Sequence, residues 1–144
     1  MNTSEINNYF KDFNQYYGTY PRDILPNTIP KNTGVIINTD KSSGPGEHWV
    51  AVYNCERGAV YFDSFGFLPL HRDIMEFLDR LSPIGWYHNT ITFQGVTSAT
   101  CGIYCIYFLT NYFNGGTYDN FRTLFSFKQN INDLFAEKLY KNGI

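Results

Sequence analysis

Residues 48–63, HWVAVYNCERGAVYFD, decide the fold. Two β-rich runs, His48 to Asn54 and Ala59 to Asp63, flank the turn residues Cys55-Glu56-Arg57-Gly58. Valine, tyrosine and phenylalanine on either side of a polar, glycine-bearing turn are the mark of a β-hairpin. Pairing Asn54 with Ala59 brings Val52 opposite Tyr61, Val50 opposite Asp63 and His48 opposite Phe65. His48 and Asp63 are then diagonal neighbours on one face of the sheet. A slip of one residue would put them on opposite faces. A hairpin alone can therefore hold a carboxylate beside an imidazole, where it fixes the tautomer and stabilises the imidazolium. Asp63-Ser64-Phe65-Gly66 also reads as a strand-ending turn. Spacing alone does not choose between these roles.

Upstream, Thr3 to Asn14 reads as a first helix, capped by Thr3 or Ser4, with Ile6, Tyr9, Phe10 and Phe13 apolar. Gly18 ends that region. Tyr20 to Pro30 reads as loop, because Pro21, Pro26 and Pro30 interrupt regular pairing. Val35-Ile36-Ile37 is a short buried strand, and Asp40 to Gly46 a flexible loop. Downstream, Arg72 to Leu81 is an amphipathic helix with Ile74, Phe77, Leu78 and Leu81 inward, and Tyr87 to Phe93 is a strand. Cys101 to Phe113 is an almost wholly apolar helix, so it should run through the core, and Asn114-Gly115-Gly116 stops it. Phe121 to Phe127 and Asn130 to Lys141 read as closing helices, the last ended by Gly143. Helix, strands, then helices, with few βαβ units, predicts an α+β fold. Its sheet is mostly antiparallel and packs against a central helix.

The 144 residues are expected to form one domain, 1–144. Hydrophobic residues make up 43% and charged residues 17%, the reverse of a disordered chain. Aromatic residues at 19% supply core area without disulfide staples. A net charge of −2 argues against holding nucleic acid by charge alone. No apolar run reaches the length of a membrane span, and Met1 to Phe10 lacks a signal-peptide pattern. Three cysteines, an odd number, read as free thiols in a reducing compartment. A monomer is expected.

Cys101 stands where the polar stretch Gly95 to Thr100 becomes the apolar helix. A thiol at a helix N-terminus feels the positive end of the dipole, which favours thiolate. Gly102 beside it allows close backbone approach. Cys105, one turn later on the apolar face, is read as core, and Cys55 as an incidental turn residue. Most cysteines in apolar helices are such packing residues. His71 starts a helix and His88 lies at the surface, which leaves His48 as the candidate base. Gln94, seven residues before Cys101, can supply an oxyanion donor beside the Cys101 N–H. Equally, it can be an ordinary polar residue at a strand end. Cys101, Cys105 and a histidine could bind zinc on paper, but no fourth ligand is evident, and no metal is expected.

In chain order these segments resemble the adenain family, the maturation cysteine proteases of adenoviruses with relatives in virophages and Polinton-type elements. The matching stretches are Tyr17-Gly18-Thr19-Tyr20, Val35-Ile36-Ile37-Asn38-Thr39, Gly46-Glu47-His48-Trp49, Tyr61-Phe62-Asp63-Ser64-Phe65-Gly66-Phe67, Gln94-Gly95 and Ser98-Ala99-Thr100-Cys101-Gly102. The resemblance implies an adenain or Ulp-like fold. It makes Cys101 the nucleophile, His48 the base, Asp63 its orienter and Gln94 the side-chain oxyanion donor. Gly46, Glu47, Trp49 and Gly102 would line the substrate path, with Trp49 as packing or a lid over the imidazole. It implies a viral cysteine endopeptidase that cleaves capsid precursors after glycine, in the virion and infected cell.

The chain departs from the adenoviral pattern in three respects. Asp63 stands where the adenoviral enzyme has Glu, as in more distant Ulp-like relatives. No cysteine lies between Ser82 and Gln94, so disulfide linkage to an activating peptide by that route is not expected. The adenoviral DNA cofactor would have to rely here on a local patch such as Lys128, Lys138 and Lys141. No cofactor is needed for the chemistry itself. Other readings are a deubiquitinase or deSUMOylase-like isopeptidase, an acetyltransferase with the same catalytic order, and a non-enzymatic scaffold that kept the fold.

Overall fold

The hairpin forms in the expected register. In the computed structural model, which describes residues 1–95, 100–126 and 128–141, β3 (Trp49–Cys55) pairs antiparallel with β4 (Gly58–Phe62). Asn54 lies opposite Ala59 and Val52 opposite Tyr61. β2 (Gly34–Asn38) flanks β3, also antiparallel. Two parallel pairings close the edges, β1 (Tyr16–Pro21) on β2 and β5 (Tyr87–His88) on β4. The sheet is five-stranded in the order β1-β2-β3-β4-β5. Its central ladders are antiparallel as predicted, and the parallel edges are an addition.

Both sheet faces are covered, which explains why β2, β3 and β4 read as nearly continuous apolar runs rather than alternating ones. Alternation still sorts the side chains. Val50, Val52, Ala59 and Tyr61 meet α2 (Arg72–Leu81) through Ile74, Phe77, Leu78 and Leu81. Each buried Val, Leu, Ile or Phe among them contributes roughly 1.5–3 kcal/mol of gross burial energy. Ala51, Tyr53, Val60 and Phe62 meet α3 (Cys101–Phe113), which runs through the core as its composition requires. α1 (Thr3–Tyr9), α4 (Tyr118–Arg122) and α5 (Gln129–Lys141) complete that layer.

Several boundaries differ from expectation. α1 is capped by Asn2, whose Oδ1 accepts from Glu5 N–H, and it ends at Tyr9. Residues 16–21 form a strand rather than the run-in to a loop. β1 is an edge strand, and an edge tolerates Pro21 because no further partner needs its missing N–H. β5 stops at His88 because the Asn89 side chain takes over the ladder: Oδ1 accepts from Asp63 N–H at 3.0 Å, and Nδ2 donates to Asp63 C=O at 2.6 Å. The first closing helix spans 118–122 instead of 121–127, set by a capping box between Thr117 and Asn120. Ser98, Ala99, Phe127 and Gly143 lie outside the described residues.

Candidate active site

The end of β3, the end of β4 and the start of α3 converge on one imidazole. His48 Nε2 lies 2.8 Å from Asp63 Oδ1, the diagonal contact that the hairpin register allows. With Nε2 so engaged, Nδ1 is the nitrogen left for Cys101, whose thiol hydrogen-bonds the ring. The Asp63 side chain is 7% exposed and that of His48 20%. The Asp63–Gly66 turn aims the carboxylate: Phe65 N–H donates to Asp63 Oδ1 at 2.9 Å, and Gly66 N–H to Asp63 C=O at 2.8 Å. The Phe65 ring stacks on the imidazole at 5.0 Å between centroids. Strand-ending turn and carboxylate partner, alternatives in the sequence, are here two features of one segment.

The electrostatics follow from these contacts. Burial works against a charged imidazole, but hydrogen bonds to Asp63 and Cys101 outweigh it and lift the His48 pKa to about 9. Burial also works against the thiolate. The His48 hydrogen bond and charge, with the backbone N–H groups of Trp49 and Gly102, overcome it and lower the Cys101 pKa. Both shifts favour the thiolate–imidazolium form of the pair over the neutral one. Cys105 shows the opposite: wholly buried, its thiol is pushed well up. Burial raises that of Cys55 also.

Gln94 is 1% exposed and is tied to Ser64, the residue after Asp63. The Ser64 hydroxyl donates to Gln94 Oε1, and Gln94 N–H donates to Ser64 C=O at 3.1 Å. Binding Oε1 orients the amide and gives Nε2 a fixed direction. Trp49, 8% exposed, turns to the other face of β3, and its Nε1 donates to Met1 C=O at 3.0 Å. It packs against Gly102, where a Cβ would lie 3.1 Å from Trp49 Cδ1 and 3.0 Å from Met1 Sδ. The ring over the imidazole is therefore Phe65, and Trp49 backs the start of α3. Gly46, at φ +103°, and exposed Glu47 border a groove of about 410 Å³ shared with Met1, Asn38, Lys41 and Trp49.

Of the residues singled out in the sequence, the fold brings His48, Asp63 and Cys101 together and sets Gln94 against Ser64, the residue after Asp63. Sequence reasoning missed Ser64 and Asn89 as their supports. Ser64 stood inside a quoted motif, whereas Asn89 carried no local signal. His71 stands at the start of α2 without a side-chain cap bond and lines a cavity shared with His48 and Asp63, and His88 is exposed. Among the described residues no cluster of three His, Cys, Asp or Glu could hold a metal, and no helix is long and apolar enough to cross a membrane.

No protein-family model matches the chain. It is 30% identical over 105 residues to a cysteine protease of African swine fever virus from a Malawi tick isolate, an alignment covering 64% of this chain and 38% of that protein. The same identity and coverage hold for a South African tick isolate's protein, named a SUMO-1 cysteine protease. The matched region thus spans well under half the length of these curated relatives. A crystal structure of the African swine fever virus protease superposes with a TM-score of 0.53 at 18% identity, covering 83% of this chain and 58% of that one. The α+β fold is the fold of that protease.

Proposed function

We propose that this chain is a cysteine endopeptidase that cleaves viral structural precursors after glycine during virion maturation. The observation that carries the reading is the imidazole of His48, held between the Asp63 carboxylate and the Cys101 thiol. The likeness to viral cysteine proteases supports it. In this mechanism the Cys101 thiolate attacks the scissile carbonyl. The Gln94 amide and the Cys101 N–H stabilise the oxyanion. The His48 imidazolium protonates the leaving amine, and water then releases the acyl-enzyme. Asp63 keeps the ring oriented and its positive charge compensated. No cofactor enters these steps. The proposed setting is the virion and its assembly site, with the enzyme acting as a monomer.

The test is cleavage of glycine-containing capsid-precursor peptides by the full chain and by Cys101→Ala. The alanine variant is expected to fold and to cut nothing. Cleavage by that variant would overturn the assignment. A second reading has its own support: one viral relative is named a SUMO-1 cysteine protease, and ubiquitin-like tails also end in glycine. Rapid labelling of Cys101 by a ubiquitin-like vinyl-sulfone probe, with no cleavage of capsid peptides, would favour an isopeptidase.

A further inference from the structure

α5 carries a carboxylate that grips the chain on both sides of the proposed oxyanion hole. Gly95 N–H donates to Asp133 Oδ2 at 3.1 Å. The Thr100 hydroxyl donates to Asp133 Oδ1 at 3.1 Å, and the Tyr104 hydroxyl to the same oxygen at 2.7 Å. Gly95 follows Gln94, and Thr100 precedes Cys101. One carboxylate therefore ties the neighbour of each oxyanion donor to a common point. Asn132, 1% exposed, adds a bond from Nδ2 to the Phe93 carbonyl at 3.1 Å, on the other side of Gln94.

Two details set this contact apart from an incidental hydrogen bond. A Cβ at position 95 would lie 2.9 Å from Asp133 Oδ2, so a larger residue there would push the carboxylate back. Thr100 is the N-cap of α3, yet its side chain makes no cap bond to the helix. An N-cap threonine ordinarily turns its hydroxyl onto the helix N–H groups. Here that hydroxyl goes to Asp133 instead.

We propose that Asp133 is a positioning residue that sets the spacing of the oxyanion hole between the Gln94 amide and the Cys101 N–H. The proposal rests on the cysteine-peptidase reading above. Asp133 touches no reacting atom and acts through Gly95 and Thr100. Oxyanion donors must lie about 2.7–3.1 Å from the developing charge, and a displacement of about 1 Å costs on the order of 100-fold in rate.

Asp133→Asn keeps the side-chain shape but cannot accept at both oxygens. In steady-state cleavage of a glycine-containing peptide, its kcat is expected to fall about 10- to 100-fold, with KM changed less than about twofold. Affinity for a glycinal-terminated peptide aldehyde, whose hemithioacetal puts an oxygen into the hole, should fall in step. Alkylation of Cys101 by iodoacetamide builds no oxyanion and should keep its rate and pH dependence. Thr100→Val removes one contact only and should give a smaller loss of the same kind, which keeps the test decisive if Asp133→Asn fails to fold. An unchanged kcat in folded variants, or alkylation falling in parallel with kcat, would overturn the proposal. A wild-type chain that alkylates slowly and cleaves nothing would instead sink the peptidase reading, and this proposal with it.

Discussion

In the proposed mechanism His48 and Cys101 share one proton, so their titrations belong to the pair. The proposed active form carries imidazolium and thiolate together. Raising the pH through about 9 removes the imidazolium proton. Lowering it protonates the thiol below the usual thiol range. The rate constant kcat/KM should therefore be bell-shaped, with its alkaline limb near pH 9. Asp63→Asn removes a bond that raises the His48 pKa, so the alkaline limb should move down. The rate should also drop about 10²- to 10⁴-fold. A pH–rate series on both proteins checks this, and an unmoved limb would count against Asp63 as the orienter. His48, Asp63, Gln94 and Cys101 stood out in the sequence because each sat at a readable junction: a hairpin end, a turn, an expected strand end, a helix start. Ser64, Asn89 and Asp133 did not. Their partners lie up to 38 residues away, and no local pattern encodes such contacts.

Hydrophobic patterning foresaw β3, β4, α2 and α3 with small boundary shifts, since these elements face a core on one side or both. β1 was missed because proline argues against strands in general, and the sequence does not say which strand is at an edge. The predicted strand 87–93 shortened because a side chain, Asn89, replaced a backbone partner. Asn89→Ala leaves the buried N–H and C=O of Asp63 without those bonds. It should destabilise the chain by about 2–4 kcal/mol, measured by urea unfolding, and should also lower activity by loosening Asp63. Gly34 marks the close approach of β2 to α3, where a Cβ would lie 2.6 Å from Leu109 Cδ2 and 3.3 Å from Val52 O. Gly34→Ala should cost about 1–3 kcal/mol, read from the same unfolding curves.

Across the molecule, aromatic rings link the site to the helical layer. Phe121 of α4 packs against Phe62 of β4, Phe93 beside Gln94, Phe108 of α3, and Phe125, all at ring centroid separations of 5.2–5.7 Å. Phe121→Ala should remove about 3–5 kcal/mol of stability and lower the thermal midpoint. If this cluster holds the Gln94 segment in place, it should also lower kcat at temperatures where the variant stays folded. Composition foretold an aromatic core, but not that its centre would adjoin the proposed oxyanion donor.

The most direct test is iodoacetamide alkylation of each cysteine, followed by mass spectrometry from about pH 5 to about pH 8. Cys101 should label fast even at the acid end, and His48→Ala should slow it markedly. Cys55, with its raised pKa, should label slowly throughout. Labelling of Cys101 no faster than that of Cys55, or a rate indifferent to His48, would contradict the thiolate–imidazolium pair on which the account rests.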